Sequence, residues 1–396
     1  MGVSILTAMP DPAALRGIVE ARLPRYLEEL ATLVNIDCGS YTPDGVNLVA
    51  DHVERALGDL GAEVERVAHQ PEPGANRIGD VVIGRIAGDG PRVLLIGHMD
   101  TVFDPGTAAE RPYRSDGARA FGPGVTDMKA GLLAGLHAIG ALQAAGERPQ
   151  ITFVANPDEE IGSRFSSEFI RELAPRHDAV LVLECARANG DIVSARKGIA
   201  DFHVTFTGRA AHAGVEPDKG RSAILEAAHQ VVALHGLNGR WPTVTVNAGV
   251  IRGGTRTNVV AERCEVHVDL RASAVDAFDA AASEIERLVS APVVDGVSAS
   301  LSRSAGHPPM EKSPASARIV ELARSIASDL GFELHDAATG GASDANTTAA
   351  LGIPTIDGLG PIGGDDHSVD EWLDLDSVVP RTTLLASLIG RIGEAL

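Results

Sequence analysis

Three short apolar runs, each followed by polar side chains, most constrain the fold of this chain. The runs are rich in branched residues and cover residues 93–96, 150–155 and 179–183. Continuous apolar runs of this length are typical of strands that are buried on both faces of a parallel sheet. Segments with helical periodicity separate them along the chain. The sequence therefore predicts an α/β fold, in which a mostly parallel sheet is covered by helices.

The residues that follow these runs differ sharply from the runs in chemistry. His98 and Asp100 follow the first run, Glu159 and Glu160 the second, and Glu184 the third. Because the carboxyl ends of parallel strands lie at one edge of a sheet, we expect these side chains to lie close together. Several carboxylates that lie close together at one edge, with a single histidine among them, repel one another unless cations neutralise their charge. The sequence therefore predicts that this edge binds cations.

Asp100 and Asp127 are candidates for roles beside His98. A neutral histidine is a good zinc ligand, and its second ring nitrogen needs an orienting acceptor. Asp100 lies two residues further along an extended chain and points the same way as His98, so it suits that role. Asp127 follows the sharp turn Gly122-Pro123-Gly124 and opens a predicted helix at residue 126 or 127, which makes it a candidate second ligand.

Each of these residues, taken alone, also fits an ordinary structural role. Asp127 suits a helix N-cap, and Glu159 with Glu160 suits a solvated loop. His367, in the flexible stretch Gly-Gly-Asp-Asp-His-Ser, alone suits a surface histidine. The prediction of a site therefore depends on the residues acting together.

The sequence pattern changes after residue 198 and changes back near residue 306. Between these points the strands alternate apolar and polar residues, and the order of elements is β-α-β-β-α-β. That order is the split βαβ arrangement of ferredoxin-like domains. The sequence therefore predicts one domain from residues 1–198 and 306–396, with an inserted ferredoxin-like domain of residues 199–305.

Composition restricts the partners and the location. The formal net charge of −20 argues against nucleic acid or an anionic membrane as a partner. No apolar run approaches the roughly 20 residues of a membrane span, and the first residues lack the features of a secretion signal. The cysteines Cys38, Cys185 and Cys264 lack metal-finger spacing and suit reduced core positions. A cytoplasmic protein is therefore expected.

Taken together and in order, the motifs resemble those of one metallohydrolase family. They are His98-Met99-Asp100, Gly122-Pro123-Gly124 with Asp127 and Lys129, Asp158-Glu159-Glu160-x-Gly162, and His367. Members of that family include aminoacylase, acetylornithine and succinyl-diaminopimelate deacylases, and bacterial glutamate carboxypeptidase. The resemblance covers nearly the whole chain, including the place of the inserted domain, and the pattern is most similar to glutamate carboxypeptidase.

The resemblance implies two Zn²⁺ ions per subunit, with Co²⁺ or Mn²⁺ as alternatives. It implies one histidine and two carboxylates around each ion, with one aspartate shared: His98, Asp127 and Glu184 for the first, and Asp127, Glu160 and His367 for the second. Asp100 would orient His98, and Glu159 would be the general base. The peptide bond after Asp127 would be cis.

The resemblance also implies a role for the inserted domain, as a dimerisation and lid domain. His212 would stabilise the oxyanion and, in dimeric members, reach in from the partner subunit. Asn258 and Arg271 would bind a substrate carboxylate, and Gly341 would lie against the substrate. Taken alone, His212 also suits a loop histidine and Arg271 a surface ion pair.

The expected activity is a di-zinc carboxypeptidase that hydrolyses the amide bond to a C-terminal amino acid. Glutamate is the preferred leaving residue, and N-acyl, folate-like or short-peptide compounds with a free carboxylate are the substrates. Two alternatives remain open: an N-acyl-amino-acid deacylase of the acetylornithine or succinyl-diaminopimelate type, and an inactive relative that binds amino-acid conjugates. Retention of Glu159 and the five implied ligands argues against the inactive relative.

Overall fold

The structure is a computed structural model that describes residues 11–304 and 306–396. The expectation of a missing secretion signal concerns residues 1–10 and lies outside the described residues. Among the helices that the structure describes, none is both long and apolar enough to cross a membrane.

The described residues form helices and strands that we number in chain order. The α-helices are α1 (Pro12–Val34), α2 (Pro43–Asp59), α3 (Thr107–Glu110), α4 (Ala130–Ala144), α5 (Ser166–Leu173), α6 (Ala223–His235), α7 (Val275–Val289), α8 (Pro314–Asp329), α9 (Asp344–Ala350) and α10 (Val378–Arg391). The strands are β1 (Glu63–Val67), β2 (Val81–Ile86), β3 (Asp89–His98), β4 (Arg114–Ser115), β5 (Arg119–Phe121), β6 (Pro149–Asn156), β7 (Ala179–Val182), β8 (Ile192–Arg196), β9 (Gly198–Thr207), β10 (Thr245–Gly253), β11 (Arg263–Ala272), β12 (Ser298–Arg303), β13 (Asp336–Thr339), β14 (Thr355–Ile356), β15 (Gly363–Gly364) and β16 (Trp372–Asp374).

The chain divides into two compact units, and the first contains a six-stranded sheet. This unit comprises Met1–Ser194, Lys312–Ala338 and Ser343–Leu396. The strand order in its sheet is β1-β2-β6-β3-β7-β14. Strands β6, β3, β7 and β14 run parallel, while β1 and β2 add an antiparallel edge. The predicted mostly parallel sheet is therefore confirmed.

Helix α4 packs against this sheet more closely than ordinary side chains would permit. A Cβ atom at Gly131 would lie 1.8 Å from the carbonyl oxygen of Leu183, and one at Gly135 would lie 2.6 Å from the Leu183 side chain. On its other sides α4 contacts α1 and α10, so the helix is apolar all round. The absence of two side chains thus fixes the distance between α4 and the strand that leads to Glu184.

One detail of the first unit differs from the sequence-based expectations. The helix expected from residue 126 or 127 begins at Ala130, because Asp127 and Met128 have non-helical backbone angles. The peptide bond between Asp127 and Met128 is cis, as the family resemblance implied. Helix α1 continues through Pro24, and its apolar residues pack into the core on both sides of that proline.

The second unit is built on a four-stranded antiparallel sheet. It comprises Ala195–Glu311 and Thr339–Ala342, a longer range than the residues 199–305 expected for the inserted domain. The strand order is β10-β11-β9-β12, and the alternating apolar side chains of these strands pack against α6 and α7. The chain order β9-α6-β10-β11-α7-β12 is the ferredoxin-like order that the sequence predicted.

Candidate metal centre

The first unit places the ends of three neighbouring strands side by side. Strand β3 lies between β6 and β7, with His98 opposite Asn156 and Ile96 opposite Val182. Just beyond β6 the chain makes a 3₁₀ turn at Glu159–Ile161, and Glu184 follows β7 by two residues. The carboxylates and the histidine that the sequence placed at one sheet edge therefore lie together.

His98 meets two of the carboxylates through its Nε2 atom. Its Nε2 lies 3.1 Å from Oδ1 of Asp127 and 3.7 Å from Oε1 of Glu184. The His98 side chain is 1% exposed. The ligand atoms of the three residues all lie within 4.8 Å of one another, which is close enough for one cation to contact all three.

A second group shares Asp127 with the first. His367 Nε2 lies 3.2 Å from Oδ2 of Asp127 and 3.1 Å from Oε2 of Glu160. Asp127 therefore directs one carboxylate oxygen to each histidine. The His367 side chain is 54% exposed, whereas that of His98 is buried, so the second group lies on the solvent side.

Asp100 contacts His98 differently from the way the sequence suggested. The acceptor nearest to His98 Nδ1 is the backbone carbonyl oxygen of Asp100, at 3.0 Å, while the Asp100 carboxylate lies 3.5 Å away. That carboxylate instead accepts hydrogen bonds from the backbone N–H groups of Glu159 and Glu160 and from the Ser40 hydroxyl. Asp100 thus holds the glutamate turn as well as the histidine.

The cluster carries a strong negative potential. Burial alone would lower the pKa of His98, but the carboxylates of Glu184, Asp100 and Asp127 outweigh it and raise that pKa well above its usual value. Hydrogen bonds to Asp127 and Glu160 raise the pKa of His367 to about 11. The surrounding acids therefore make this cluster a favourable place for positive charge.

The arrangement fits a pair of divalent cations. Imidazole nitrogens and carboxylate oxygens are the ligands of Zn²⁺, and they also suit Mn²⁺ and Co²⁺. Two dications would neutralise the carboxylates that otherwise repel one another. Cys185 lies beside Glu184 but belongs to neither candidate ligand group, and burial and the charge of Asp366 raise the pKa of its thiol well above normal.

Glu159 differs from the other acids of the cluster. It belongs to neither group of candidate ligands, and no described residue donates a hydrogen bond to its carboxylate. Burial and the charge of Glu184 raise the pKa of Glu159 well above its usual value. A carboxylate that lies outside the ligand set and has a raised pKa suits the role of a general base.

The remaining predicted site residues lie in the second unit. His212 is exposed and accepts a hydrogen bond from the Gly214 N–H at its Nδ1. The backbone carbonyl of Asn258 accepts the N–H of Ala213, so the segments that carry His212 and Asn258 run side by side.

Arg271 and Gly341 also belong to the second unit. The Arg271 guanidinium donates to the carboxylate of Asp269 at 3.1 Å and to the carbonyl of Gly340 at 3.1 Å. The carbonyl of Gly341 accepts a hydrogen bond from Arg196 at 3.1 Å. Arg271 therefore has the ion pair that the simpler reading suggested, with its side chain 40% exposed.

Sequence reasoning missed a buried carboxylate that contacts the segment of Asp127, that of Glu371. It accepts hydrogen bonds from the backbone N–H groups of Gly124, Thr126 and Asp127. It lies four residues after His367 in a stretch that also contains Asp365, Asp366 and Asp370, so nothing in the sequence distinguishes it.

The turn that carries the glutamates is also held by a buried network that the sequence did not reveal. Asp344, at the start of α9, accepts a hydrogen bond from the Ser163 hydroxyl at 2.6 Å and another from the Asn156 side chain. Asp158 accepts the backbone N–H of Phe165. These bonds fix both ends of the Glu159–Ile161 turn.

Comparison with known proteins identifies the family. The chain matches the profile of Peptidase family M20/M25/M40 over residues 94–391. The chain belongs to this peptidase family. The match confirms the resemblance inferred from the motifs, and it makes the protein an M20 family hydrolase with candidate metal-binding residues.

Individual M20 relatives match over much of their length. Carboxypeptidase G2 of Pseudomonas sp. (strain RS-16) is 31% identical over 376 residues, which cover 93% of this chain and 90% of that protein. Acetylornithine deacetylase of Myxococcus xanthus is 30% identical over 263 residues, 63% of this chain and 67% of that protein. The crystal structure of aminopeptidase PepT from Bacillus cereus has a TM-score of 0.75 at 24% identity, covering 93% of this chain and 98% of that one. This last likeness concerns the fold alone.

Proposed function

We propose that this M20 peptidase is a two-metal carboxypeptidase that hydrolyses the amide bond to a C-terminal amino acid, by preference glutamate. The observation that carries the metal-dependent chemistry is the position of Asp127, whose two oxygens face two different histidines. We assign His98, Asp127 and Glu184 to one ion, and Asp127, Glu160 and His367 to the other, with Zn²⁺ as the expected metal.

Two divalent ions held by these residues would supply Lewis-acid activation of a water and of the scissile carbonyl. Glu159 takes up the proton of the attacking water and passes it to the leaving nitrogen. We propose that His212 donates a hydrogen bond to the oxyanion of the tetrahedral intermediate. The carboxylate of Glu159 lies outside the ligand groups and has a raised pKa, which supports its proposed role as the general base of this reaction.

For the substrate, we propose that Arg271 and Asn258 bind its free carboxylate and that Gly341 lies against it. A guanidinium pairs with a carboxylate in a bidentate geometry that a lysine does not reproduce. The identity to carboxypeptidase G2 over 93% of this chain supports the choice of a C-terminal amino acid as the leaving group.

A substrate panel tests this proposal. N-acyl amino acids are assayed with the acyl group fixed and the amino acid varied, and then with the reverse. We expect kcat/KM to vary more with the amino acid than with the acyl group, and glutamate to be preferred. Turnover that follows the acyl group and ignores the amino acid would refute the carboxypeptidase assignment.

Arg271 has a matched control on its own strand. Arg263 also lies on β11 and also pairs with an acid two residues away, Glu265. We expect Arg271→Gln to raise KM at least tenfold, since a charged hydrogen bond contributes about 1.5–3 kcal/mol. Arg263→Gln should leave KM unchanged. Equal effects of the two variants would contradict the assignment of Arg271.

The second candidate function is an N-acyl-amino-acid deacylase. The 30% identity to acetylornithine deacetylase of Myxococcus xanthus supports it. The same substrate panel decides, because a deacylase of this type would prefer N-acetylornithine or N-succinyl-diaminopimelate to N-acylglutamates.

We also propose a homodimer formed through the second unit. Strand β10 is at the edge of its sheet, and Ile251 on it is 53% exposed. On the adjacent helix α6, Ile224, Leu225 and Val232 are likewise exposed. An open strand edge beside an apolar helix face suits pairing with a second copy. Sedimentation analysis of the wild type and of Val232→Glu, which should dissociate the dimer, tests this.

A cytoplasmic location remains the expectation from the sequence.

A further inference from the structure

One loop supplies both a candidate metal ligand and a buried carboxylate that lies outside the candidate ligand groups. The loop joins β15 to β16 and contains His367, which faces Asp127 and Glu160, and Glu371, which does not belong to either ligand group. His367 has a positive φ of 61°, so the backbone here is held in an uncommon conformation. The loop is therefore shaped by its contacts at both ends.

Glu371 binds the backbone of the segment that carries Asp127. Its Oε2 accepts the Gly124 N–H at 2.8 Å, and its Oε1 accepts the N–H groups of Thr126 and Asp127 at 2.9 and 3.1 Å. Glu371 is 1% exposed, and no lysine, arginine or histidine of the described residues forms an ion pair with it. Three backbone N–H groups thus supply hydrogen bonds to both oxygens of this carboxylate.

Lys129 adds two further hydrogen bonds to the same segment. The ammonium group donates to the carbonyl of Pro123 at 2.9 Å and to the carbonyl of Ile36 at 3.3 Å, and the residue is buried. Between Pro123 and Lys129, one carbonyl therefore accepts from a lysine, and three N–H groups donate to a glutamate. Asp127 is the only candidate ligand that they carry.

We propose that Glu371 is a positioning residue for the metal centre: it ties the backbone of the shared ligand Asp127 to the loop that carries His367. The two ligands lie far apart in the sequence, and Glu371 joins their segments across 244 residues. Neither segment is a regular helix or strand at the ligand itself, so secondary structure alone does not set the distance between them. This inference depends on the proposed metal binding.

The proposal predicts a loss of metal affinity that is separable from a loss of stability. In Glu371→Gln the side chain keeps its shape, but an NH₂ group replaces one oxygen and faces a backbone N–H. Residues that orient metal ligands typically contribute about 10–100-fold to affinity or activity. We expect the dissociation constant of the more weakly held ion to rise by about that factor, with kcat restored by excess metal.

Glu226 offers a matched control. It is fully buried in the second unit, and its carboxylate accepts the backbone N–H groups of Val293 and Val294 at 2.8 and 2.7 Å. Glu226→Gln therefore makes the same chemical change at a carboxylate that also holds a backbone loop but belongs to neither ligand group. It should lower the unfolding temperature and leave metal affinity unchanged.

The experiment measures Zn²⁺ affinity by chelator competition and metal content by mass spectrometry for the full chain and both variants. Weaker binding in Glu371→Gln alone supports the proposal. Unchanged binding in Glu371→Gln, or an equal loss in both variants, overturns it. A wild type that binds no divalent ion instead overturns the proposed function, and this inference with it. If circular dichroism shows that Glu371→Gln is unfolded, Glu371→Asp, which keeps the charge on a shorter side chain, provides the same comparison.

Discussion

The carboxylate of Asp100 accepts the backbone N–H of Glu159 at 3.2 Å. It also accepts the N–H of the next residue, Glu160, and the hydroxyl of Ser40. Through its backbone carbonyl the same residue orients His98. Asp100 thus holds one candidate ligand from each of two neighbouring strand ends, together with the proposed base.

We expect Asp100→Asn to lower kcat and metal affinity by roughly 10–100-fold each, because the amide loses one of the acceptor oxygens that hold the glutamate turn. Steady-state kinetics at saturating metal and chelator competition measure the two effects. Asp104→Asn provides the control, because Asp104 follows the same strand but is exposed and belongs to neither group of candidate ligands. Unchanged metal affinity in Asp100→Asn would contradict this role.

Glu159→Gln should lower kcat by about 10²–10⁴-fold, the usual contribution of a general base. It should leave metal content unchanged, because Glu159 lies outside both ligand groups. The adjacent variant, Glu160→Gln, should instead lose metal, since Glu160 faces His367. Metal analysis and kinetics on both variants test the division of roles. Full activity of Glu159→Gln would show that another group is the base.

Removal of metal should abolish activity and lower the unfolding temperature. Ligands that bind only the folded state stabilise it, by about 2.7 kcal/mol at a concentration one hundred times the dissociation constant. Thermal unfolding with and without a chelator measures this difference. Zn²⁺, Co²⁺ and Mn²⁺, added back singly, should restore stability and activity to different degrees. An unfolding temperature that is insensitive to both treatments would count against the metal centre.

The pair of Glu29 and His137 predicts a pH dependence of stability. Burial raises the pKa of Glu29, but hydrogen bonds from His137 and Arg25 outweigh it and lower the pKa to about 2. In the unfolded chain the pKa of a glutamate is about 4.3. The contribution of Glu29 to the free energy of unfolding is therefore complete above that pH and is lost as the pH falls towards 2.

The free energy of unfolding in urea tests this dependence. We expect Glu29→Gln to be less stable than the wild type at pH 6, with a smaller difference at pH 3. Glu20→Gln removes the exposed pair with Arg16 and should change stability little at either pH. If the difference in the free energy of unfolding between the wild type and Glu29→Gln is as large at pH 3 as at pH 6, the lowered pKa of Glu29 is refuted.

Gly131→Ala tests the close approach of α4 to the sheet. The new Cβ would lie 1.8 Å from the Leu183 carbonyl oxygen, and we expect a loss of at least about 1–3 kcal/mol of stability. Because Glu184 follows Leu183, metal affinity should fall as well. Gly58→Ala, in α2 with no atom within 4 Å of its Cβ, should stabilise by about 0.4–1 kcal/mol. Denaturant unfolding of both variants distinguishes the effect of a steric clash between α4 and the sheet from the effect of alanine on helix propensity.

The strongest sequence signals were those that reflect local periodicity. The buried strands β3, β6 and β7 were expected from their apolar runs, and the order of elements in the second unit from alternating strands and intervening helices. The start of α4 was placed too early, because the glycine-rich turn and Asp127 look like a helix N-terminus in sequence. The short strands β5, β15 and β16 were not expected, since two or three residues carry no periodicity.

The sequence by itself determined which residue types lie at the carboxyl ends of the parallel strands, because burial of a strand requires a continuous apolar run and leaves polar residues only at its ends. Only the tertiary structure decided which oxygen of Asp127 faces which histidine, that the Asp100 carboxylate holds the glutamate turn, and that Glu371 holds the segment of Asp127. These relationships join segments far apart in the chain through side-chain to backbone hydrogen bonds. Such bonds have no period and no fixed spacing in the sequence, so they exist only once the sheet has brought the segments together.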